Sequence, residues 1–358
     1  MKMKTQLLRS FSRVFYLSSL IAFIFTFDCT SGAGPARITR RTKHYASSPR
    51  SRCAFGDPKY FTGNYISTNK PGVRIKVPNF DVLFEDICKV SPLARQALDD
   101  ECPGGLKALD KDADVYKWKV TDSYNPNRLW KQIDKIDKFD NKIPPIVRLR
   151  STLHGPNKRR GETFSDVFSR QELRNQWDMA NDVVEEIYTG NLDELKQYQH
   201  EKYGTCSMIG VGYVKTKQSV VSPREQMTLC GVQNFPNGAS IIWAVELEES
   251  QNFLFPECQP KRVQRSTTHL FSTTIVPVED DTTFDVEYVL QLEIGGFPGW
   301  LTGPVIVETI KKMFKWTDGY FRSDTLAQKL ASLPDGEDKD SQNPEDLLEK
   351  EQTLLMPP

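Results

Sequence analysis

Histidine is scarce in this chain, with four in 358 residues, and His44 falls in a segment that reads as presequence. The other three, His154, His200 and His269, read as a strand end, a polar helix and a strand interior. No HExxH, GxSxG or P-loop pattern occurs, so metalloprotease, serine-hydrolase and nucleotide-phosphate chemistry lack their residues. "GVGYVK" is too poor in glycine for a dinucleotide loop and lies in a strand. Seven cysteines include no CxxC, which removes zinc-ribbon and thioredoxin readings, and no metal or cofactor is expected. Net charge is zero, 47 basic against 47 acidic residues, so nothing draws the whole molecule to nucleic acid. Strands and helices do not alternate along the chain, which excludes a parallel doubly wound sheet.

The ends differ from the middle. Residues 1–33 have a basic start, an uncharged run from Val14 to Phe27 and the small residues "CTSGAGPA". The run is shorter than the ~20 residues of a membrane span and suits a signal peptide, with a signal anchor as the alternative. Residues 34–56 form a basic linker or transit-like segment, rich in Arg and Ser. Two destinations stay open after entry to the secretory pathway: a plastid reached by a two-part presequence, or a secreted or lumenal site. Residues 324–358 form an acidic tail with the composition of disorder. Cys88 and Cys102 allow a disulfide in an oxidising lumen, whereas free buried cysteines fit a domain of this size.

Between the ends, residues 57–112 read as an N-terminal helical extension, carried by "DVLFEDICKVSPLARQALDD". "VYKWKV", "PIVRLRSTLHGP" and "GETFSDVF" read as strands, "KQIDKIDKFDNK" as a surface excursion and "SRQELRNQWDMANDVVEEI" as a helix. Further strands follow, with Ile241, Trp243, Val245 and Leu247 sharing one face. The clearest is "TFDVEYVLQLEI": Phe284, Val286, Tyr288, Leu290, Leu292 and Ile294 alternate with mostly polar residues, which predicts one buried and one wet face. Then "GGFPGWLTGPVIVETIKKMFKW" gathers Thr302, Val305, Ile306, Ile310, Met313, Phe314 and Trp316 on one helical face. Glu308, Lys311, Lys312 and Lys315 fill the opposite arc. The economical arrangement is α+β: one curved antiparallel sheet gripping a long C-terminal helix.

Some polar residues have ordinary readings. Trp177 and Asp178 in "RNQWD" suit a packing indole and a capping carboxylate, and Arg224 with Glu225 suits a loop anchor. A Cys230–His269 pair carries no spacing that marks a nucleophile and its base.

"GETFSDVFSRQELRNQWD", "SPREQMTLCGV" and "GGFPGWLTGPVIVETIKKMFKW", in this order, resemble the START domains, the steroidogenic-acute-regulatory-protein-related lipid-transfer family. The resemblance covers about residues 113–322, within a lipid-binding domain expected over 113–323. Its signature positions are Trp177 and Asp178, Pro223 and Arg224, and Gly295, Gly296 and Trp300. It implies a helix-grip fold enclosing a hydrophobic cavity for a single lipid. It also implies a C-terminal helix acting as lid and transfer between membranes without chemistry on the lipid. On that basis the lipid-binding residues are expected to be Trp243, Phe284, Val286, Tyr288, Leu290, Leu292, Ile306, Ile310 and Met313. The expected partners are a lipid and, transiently, a membrane surface, with the chain monomeric and binding no nucleic acid. Sterol-binding members tend to carry an arginine where this chain has Cys230, which points toward a glycerolipid or another two-chain lipid. The alternatives are a helix-grip enzyme, a cyclase or hydrolase using His154, His269 or Cys230, and a lipid sensor or scaffold that recruits a partner through its tail.

Overall fold

The computed structural model describes residues 56–98, 118–122, 130–136, 144–154, 167–169, 171–178, 181–216, 224–254, 264–278, 283–294, 299–323 and 325. The presequence segments, nearly all of the acidic tail, Cys102 and the signature residues Pro223, Gly295 and Gly296 lie outside the described residues.

The chain enters through an antiparallel hairpin, β1 (Phe61–Ser67) and β2 (Arg74–Pro78). Its turn holds Pro71 and Gly72, and Gly72 adopts φ 79° while Val73 N–H donates to Lys70 O, the geometry of a type II turn. Two helices follow, α1 (Phe80–Val90) and α2 (Pro92–Ala97). Ser91 separates them, capping α2 through its hydroxyl with Pro92 at the first helical position. The extension read from sequence as helical therefore begins with a β-hairpin, and Cys88 within it is a buried thiol outside any disulfide.

The main sheet contains β3 (Lys119–Asp122), β4 (Trp130–Ile136), β5 (Ile146–His154), β6 (Asn181–Thr189), β7 (Thr205–Thr216), β8 (Arg224–Asn234), β9 (Ser240–Glu246), β11 (Thr267–Pro277) and β12 (Thr283–Glu293). The two-residue β10 (Gln264–Arg265) pairs with β8. The order is β3-β4-β5-β12-β11-β9-β8-β7-β6, antiparallel along this path and open at both edges. Helix α3 (Gln171–Trp177) and the short α4 (Leu192–Lys196) interrupt the strands, and α5 (Gly299–Phe321) closes the fold. The protein is thus α+β, a large antiparallel sheet with a C-terminal helix on one face.

Several segments differ from the sequence reading. "KQIDKI" is part of β4, with Ile133 fully buried, because one apolar side chain at the right parity suffices for a strand beneath a helix. The expected long helix after Ser169 ends at Trp177, and its second half is β6, where Val183, Val184 and Ile187 favour extended backbone. Val167 and Phe168 sit in a helical turn rather than a strand.

Both faces of the sheet are covered, which corrects the expected wet face of β12. The outer face bears Ile209, Val211, Leu229, Trp243, Val245, Leu270 and Val289, packed in one core with Ile75, Val77, Phe80, Phe84 and Ile87 of the N-terminal unit. Phe84 stacks on Tyr203 with ring centroids 4.8 Å apart, and Phe80 meets Trp243 edge-on at 6.1 Å. Polar outer-face residues of β12 find partners there. Glu287 accepts from Leu93 N–H at 3.3 Å and pairs with Arg148 and Arg150, while Gln291 Nε2 donates to Pro144 O. Arg148, fully buried, donates to Val90 O and lies 3.8 Å from the centroid of the Trp118 ring. Strict alternation on β12 is therefore real, but its polar side meets protein instead of water.

Candidate functional site

The inner face is fixed by register. Across the middle of the sheet run Gly210, Cys230, Ala244, Phe271, Leu290 and Val147, each the cross-strand partner of the next. A neighbouring row runs Met208, Val232, Ile242, Thr273, Tyr288, Leu149 and Ile133. On the β5–β12 side these residues are large and lie under α5. Ile306, Ile310, Met313 and Phe314 share a buried cluster with Leu149, Leu153, Phe284, Val286 and Tyr288. Phe314 meets Tyr288 edge-on at 5.9 Å, and Tyr288 meets Phe271 at 5.1 Å.

On the β7–β9 side the inner residues are small: Gly210, Gly212, Thr228, Cys230 and Ala244. Among the described residues, a Cβ placed on Gly212 meets Cys230 Sγ at 3.5 Å and Thr228 Oγ1 at 3.9 Å and nothing else within 4 Å, both ordinary contacts. Cys230 combines two properties that seldom coincide. Protein surrounds it deeply enough that burial pushes its thiol up to about 12, yet the residue keeps partial solvent contact. Met208, Gly212, Thr228, Phe271, Leu290 and Leu292 are likewise only half-buried.

Of the lipid-binding residues expected from sequence, Phe284, Val286, Tyr288, Ile306, Ile310 and Met313 lie in the buried cluster, with Leu290 and Leu292 packed at its margin. Trp243 is the exception. It lies on the outer face, where its indole N–H donates to Gln233 Oε1 at 2.9 Å and its ring fills the space over Gly231. Every residue of β9 is buried, so periodicity alone could not say which side faced the helix. The inner residues of β9 are Ile242, Ala244 and Glu246, and sequence reasoning, which singled out Cys230, passed over Met208, Gly212 and Thr228 on the same face. The only signal of Gly212 and Thr228 was smallness, which acquires meaning once register aligns the strands.

The signature residues that are described have structural roles. Trp177 is buried, donating to Val167 O at 2.9 Å and packing edge-on against Phe168. Asp178 accepts from Arg174 Nε at 2.9 Å and Asn181 Nδ2 at 2.6 Å, tying the end of α3 to the start of β6. Arg224 N–H donates to Thr216 Oγ1, and Glu225 accepts from the Tyr213 hydroxyl. Of Trp300 the backbone alone is described, in the first turn of α5.

One buried ion pair closes an end of the inner face. Arg265 holds Glu246 Oε1 through Nε at 2.9 Å and a terminal guanidinium nitrogen at 2.6 Å, and Thr268 N–H donates to Glu246 Oε2. Burial pushes the Glu246 carboxyl up to about 7 despite this guanidinium. The titratable candidates for catalysis do not converge. His154 contacts Thr283 and His269 contacts Glu293, at opposite ends of β12, roughly 33 Å apart at strand rise. The Cys230 thiol donates instead to Gly210 O. No group of metal-ligating residues occurs among the described residues, and no described helix is long and apolar enough to cross a membrane.

No family profile matches the sequence, and no curated protein matches it. Solved structures do match in shape. The chain is similar to lipid-transfer domains. The human StAR-related lipid transfer protein 5 is 16% identical, with a TM-score of 0.44 over 60% of this chain and 90% of that one. Human STARD10 is 16% identical, with a TM-score of 0.46 over 63% and 82%. A StAR-related lipid transfer protein of Xanthomonas axonopodis is 16% identical, with a TM-score of 0.41 over 57% and 99%.

Proposed function

We propose that the chain binds a single lipid between the small-residue half of its inner sheet face and helix α5, and carries it between membranes. The observation that carries this reading is Cys230, deep inside the protein and still accessible, at the centre of a row of small side chains. A packed core fills such a position, whereas a carrier leaves it for its cargo. The guest is a glycerolipid or another two-chain lipid. Each buried CH₂ contributes about 0.8 kcal/mol of transfer free energy, which makes desorption of such a lipid into water slow. Apolar contact with Phe271, Leu290, Leu292 and Met313 replaces water and lowers that barrier.

Helix α5 is the movable cover. Pro304 stands inside it, where the ring removes a backbone donor and clashes with the preceding turn, so the first turns are loosely joined to the rest. Lys312 and Lys315 project from its exposed face, available to anionic membrane surfaces at about 1 kcal/mol each. No reaction is proposed, because His154, His269 and Cys230 serve separate parts of the sheet. The presequence would deliver the carrier into the secretory pathway.

The test is Met313→Asp, which sets a carboxylate on the helix face turned to the sheet. The full chain, incubated with phosphatidylcholine vesicles and weighed by native mass spectrometry, should carry a bound lipid, and the variant should carry far less. Equal loading of the two proteins contradicts the assignment of α5 as the cover.

A further inference from the structure

One face of helix α5 is exposed. Its other sides meet β4, β5, β12 and α3, while Glu308, Lys312, Lys315 and Arg322 stand in solvent on a single arc. Two cations of that arc are matched from within the helix. Lys311 Nζ donates to Glu308 Oε1 at 3.0 Å, and Arg322 Nε to both carboxylate oxygens of Asp318 at 2.9 and 3.0 Å. Lys312 and Lys315 form no ion pair among the described residues. They lie one turn apart, where like charges repel, so the helix itself offers them no anion.

The same chain carries one close by. The segment from Asp335 to Glu351 holds eight acidic residues against Lys339 and Lys350, and it begins 12 residues after Ser323. That link spans up to ~40 Å when extended, whereas Lys315 and Lys312 stand only about 9 and about 14 Å back along the axis from Phe321. Pro334-Asp335-Gly336 is a turn signal, which suits a chain reversing onto the helix it has just left.

We propose that the acidic segment Asp335–Glu351 docks on the outer face of α5 and masks Lys312 and Lys315 until an anionic membrane displaces it. This inference rests on the reading of α5 as the cover that meets membranes, and adds the control of that encounter. Each exposed ion pair contributes little and is screened by salt. Tethering holds the segment at about a millimolar effective concentration, so several weak contacts persist together, yet a surface bearing many anionic headgroups outcompetes them.

The experiment couples the full chain with a zero-length carbodiimide crosslinker and maps the monomeric product by peptide mass spectrometry. Lys312 and Lys315 should couple to carboxylates between Asp335 and Glu351, at least about fivefold less when salt rises from about 0.1 M to about 1 M. A monomer without these couplings overturns the proposal. In a full-chain variant the eight carboxylates become amides, Asp→Asn and Glu→Gln. It should bind phosphatidylcholine–phosphatidylserine vesicles at least about tenfold more tightly than the wild type, most of what two lysines contribute at an anionic surface. Adding Lys312→Gln and Lys315→Gln should cancel that gain. A gain that survives there reflects net charge alone and overturns the proposal, as does the absence of any gain. Couplings and gain together with failed lipid loading in the Met313 test sustain the docking and overturn the carrier reading alone.

Discussion

Gly212→Leu separates a carrier from a packed core. Gly212 lies on β7 opposite Thr228, and its φ is not among the left-handed ones, so a side chain is permitted by the backbone. The added Cβ would make ordinary contact with Cys230 Sγ and Thr228 Oγ1, and the isobutyl group would extend over the inner face. If that space belongs to a lipid, the leucine displaces roughly four methylenes of acyl chain. At about 0.8 kcal/mol per CH₂ the loss is ~3 kcal/mol, roughly a hundredfold in affinity. Stability should hold or rise, because glycine in a strand interior costs about 0.5–1 kcal/mol relative to a residue with a side chain. Lipid occupancy after incubation with vesicles, read by native mass spectrometry beside a thermal melt, measures both quantities. An unchanged melt with unchanged occupancy refutes the placement of the ligand. A melt lowered by many degrees refutes the claim that the space is open.

Gly231→Ala on the next strand should do the reverse. Its Cβ would lie 2.4 Å from Trp243 Cζ2, with the indole pinned by Gln233, so a loss of about 3 kcal/mol in urea unfolding is expected while bound lipid is retained. Arg148→Met should also destabilise, by about 3 kcal/mol, since it leaves Glu287 under the N-terminal helices with the half-exposed Arg150 as its one cationic partner among the described residues; a melt within a degree of wild type would show the pair to be dispensable. Glu246 gives a pH signature. Its carboxyl is raised from 4.5 to about 7 by burial, so the folded chain binds the proton more tightly than the unfolded one. Stability should therefore fall as pH climbs from about 4.5 to about 7, by on the order of 3 kcal/mol, and level off above. Glu225 and Glu287 shift in the same direction, and Glu246→Gln should flatten the Glu246 share of the slope. A parallel pH profile in that variant would exclude Glu246 as its source.

The elements legible from sequence were those with an unbroken period over many residues. β12 alternates from Phe284 to Ile294, and α5 repeats its apolar positions from Thr302 to Trp316, so strand, helix and their facing sides could all be read. β9 defeats the same method because its residues are buried on both faces, and Trp243 was set on the wrong one. β1 and β2 were missed because their apolar content is thin, Phe61, Ile66, Ile75 and Val77, and burial comes from helices that follow in the chain. β6 was absorbed into the preceding helix because "DVVEE" carries the charge of a helix surface, and only its pairing with β7 makes it a strand. The small-residue row was invisible for another reason. Gly210, Cys230 and Ala244 are unremarkable apart, and only cross-strand register makes them neighbours.

The N-terminal unit bears on function through the faces it leaves. A sheet with one solvated side would offer a ligand two surfaces, and an apolar outer face would compete for any lipid met at a membrane. Here Phe80, Leu83, Phe84 and Ile87 cover that face, and Glu287 and Gln291 have partners on its polar side. Trp243 is packed there against Phe80 and bonded to Gln233. On the inner face Cys230 and Thr228 keep solvent contact. That exposure lies on the small-residue strands, and apolar contact with a bound lipid would remove it from water.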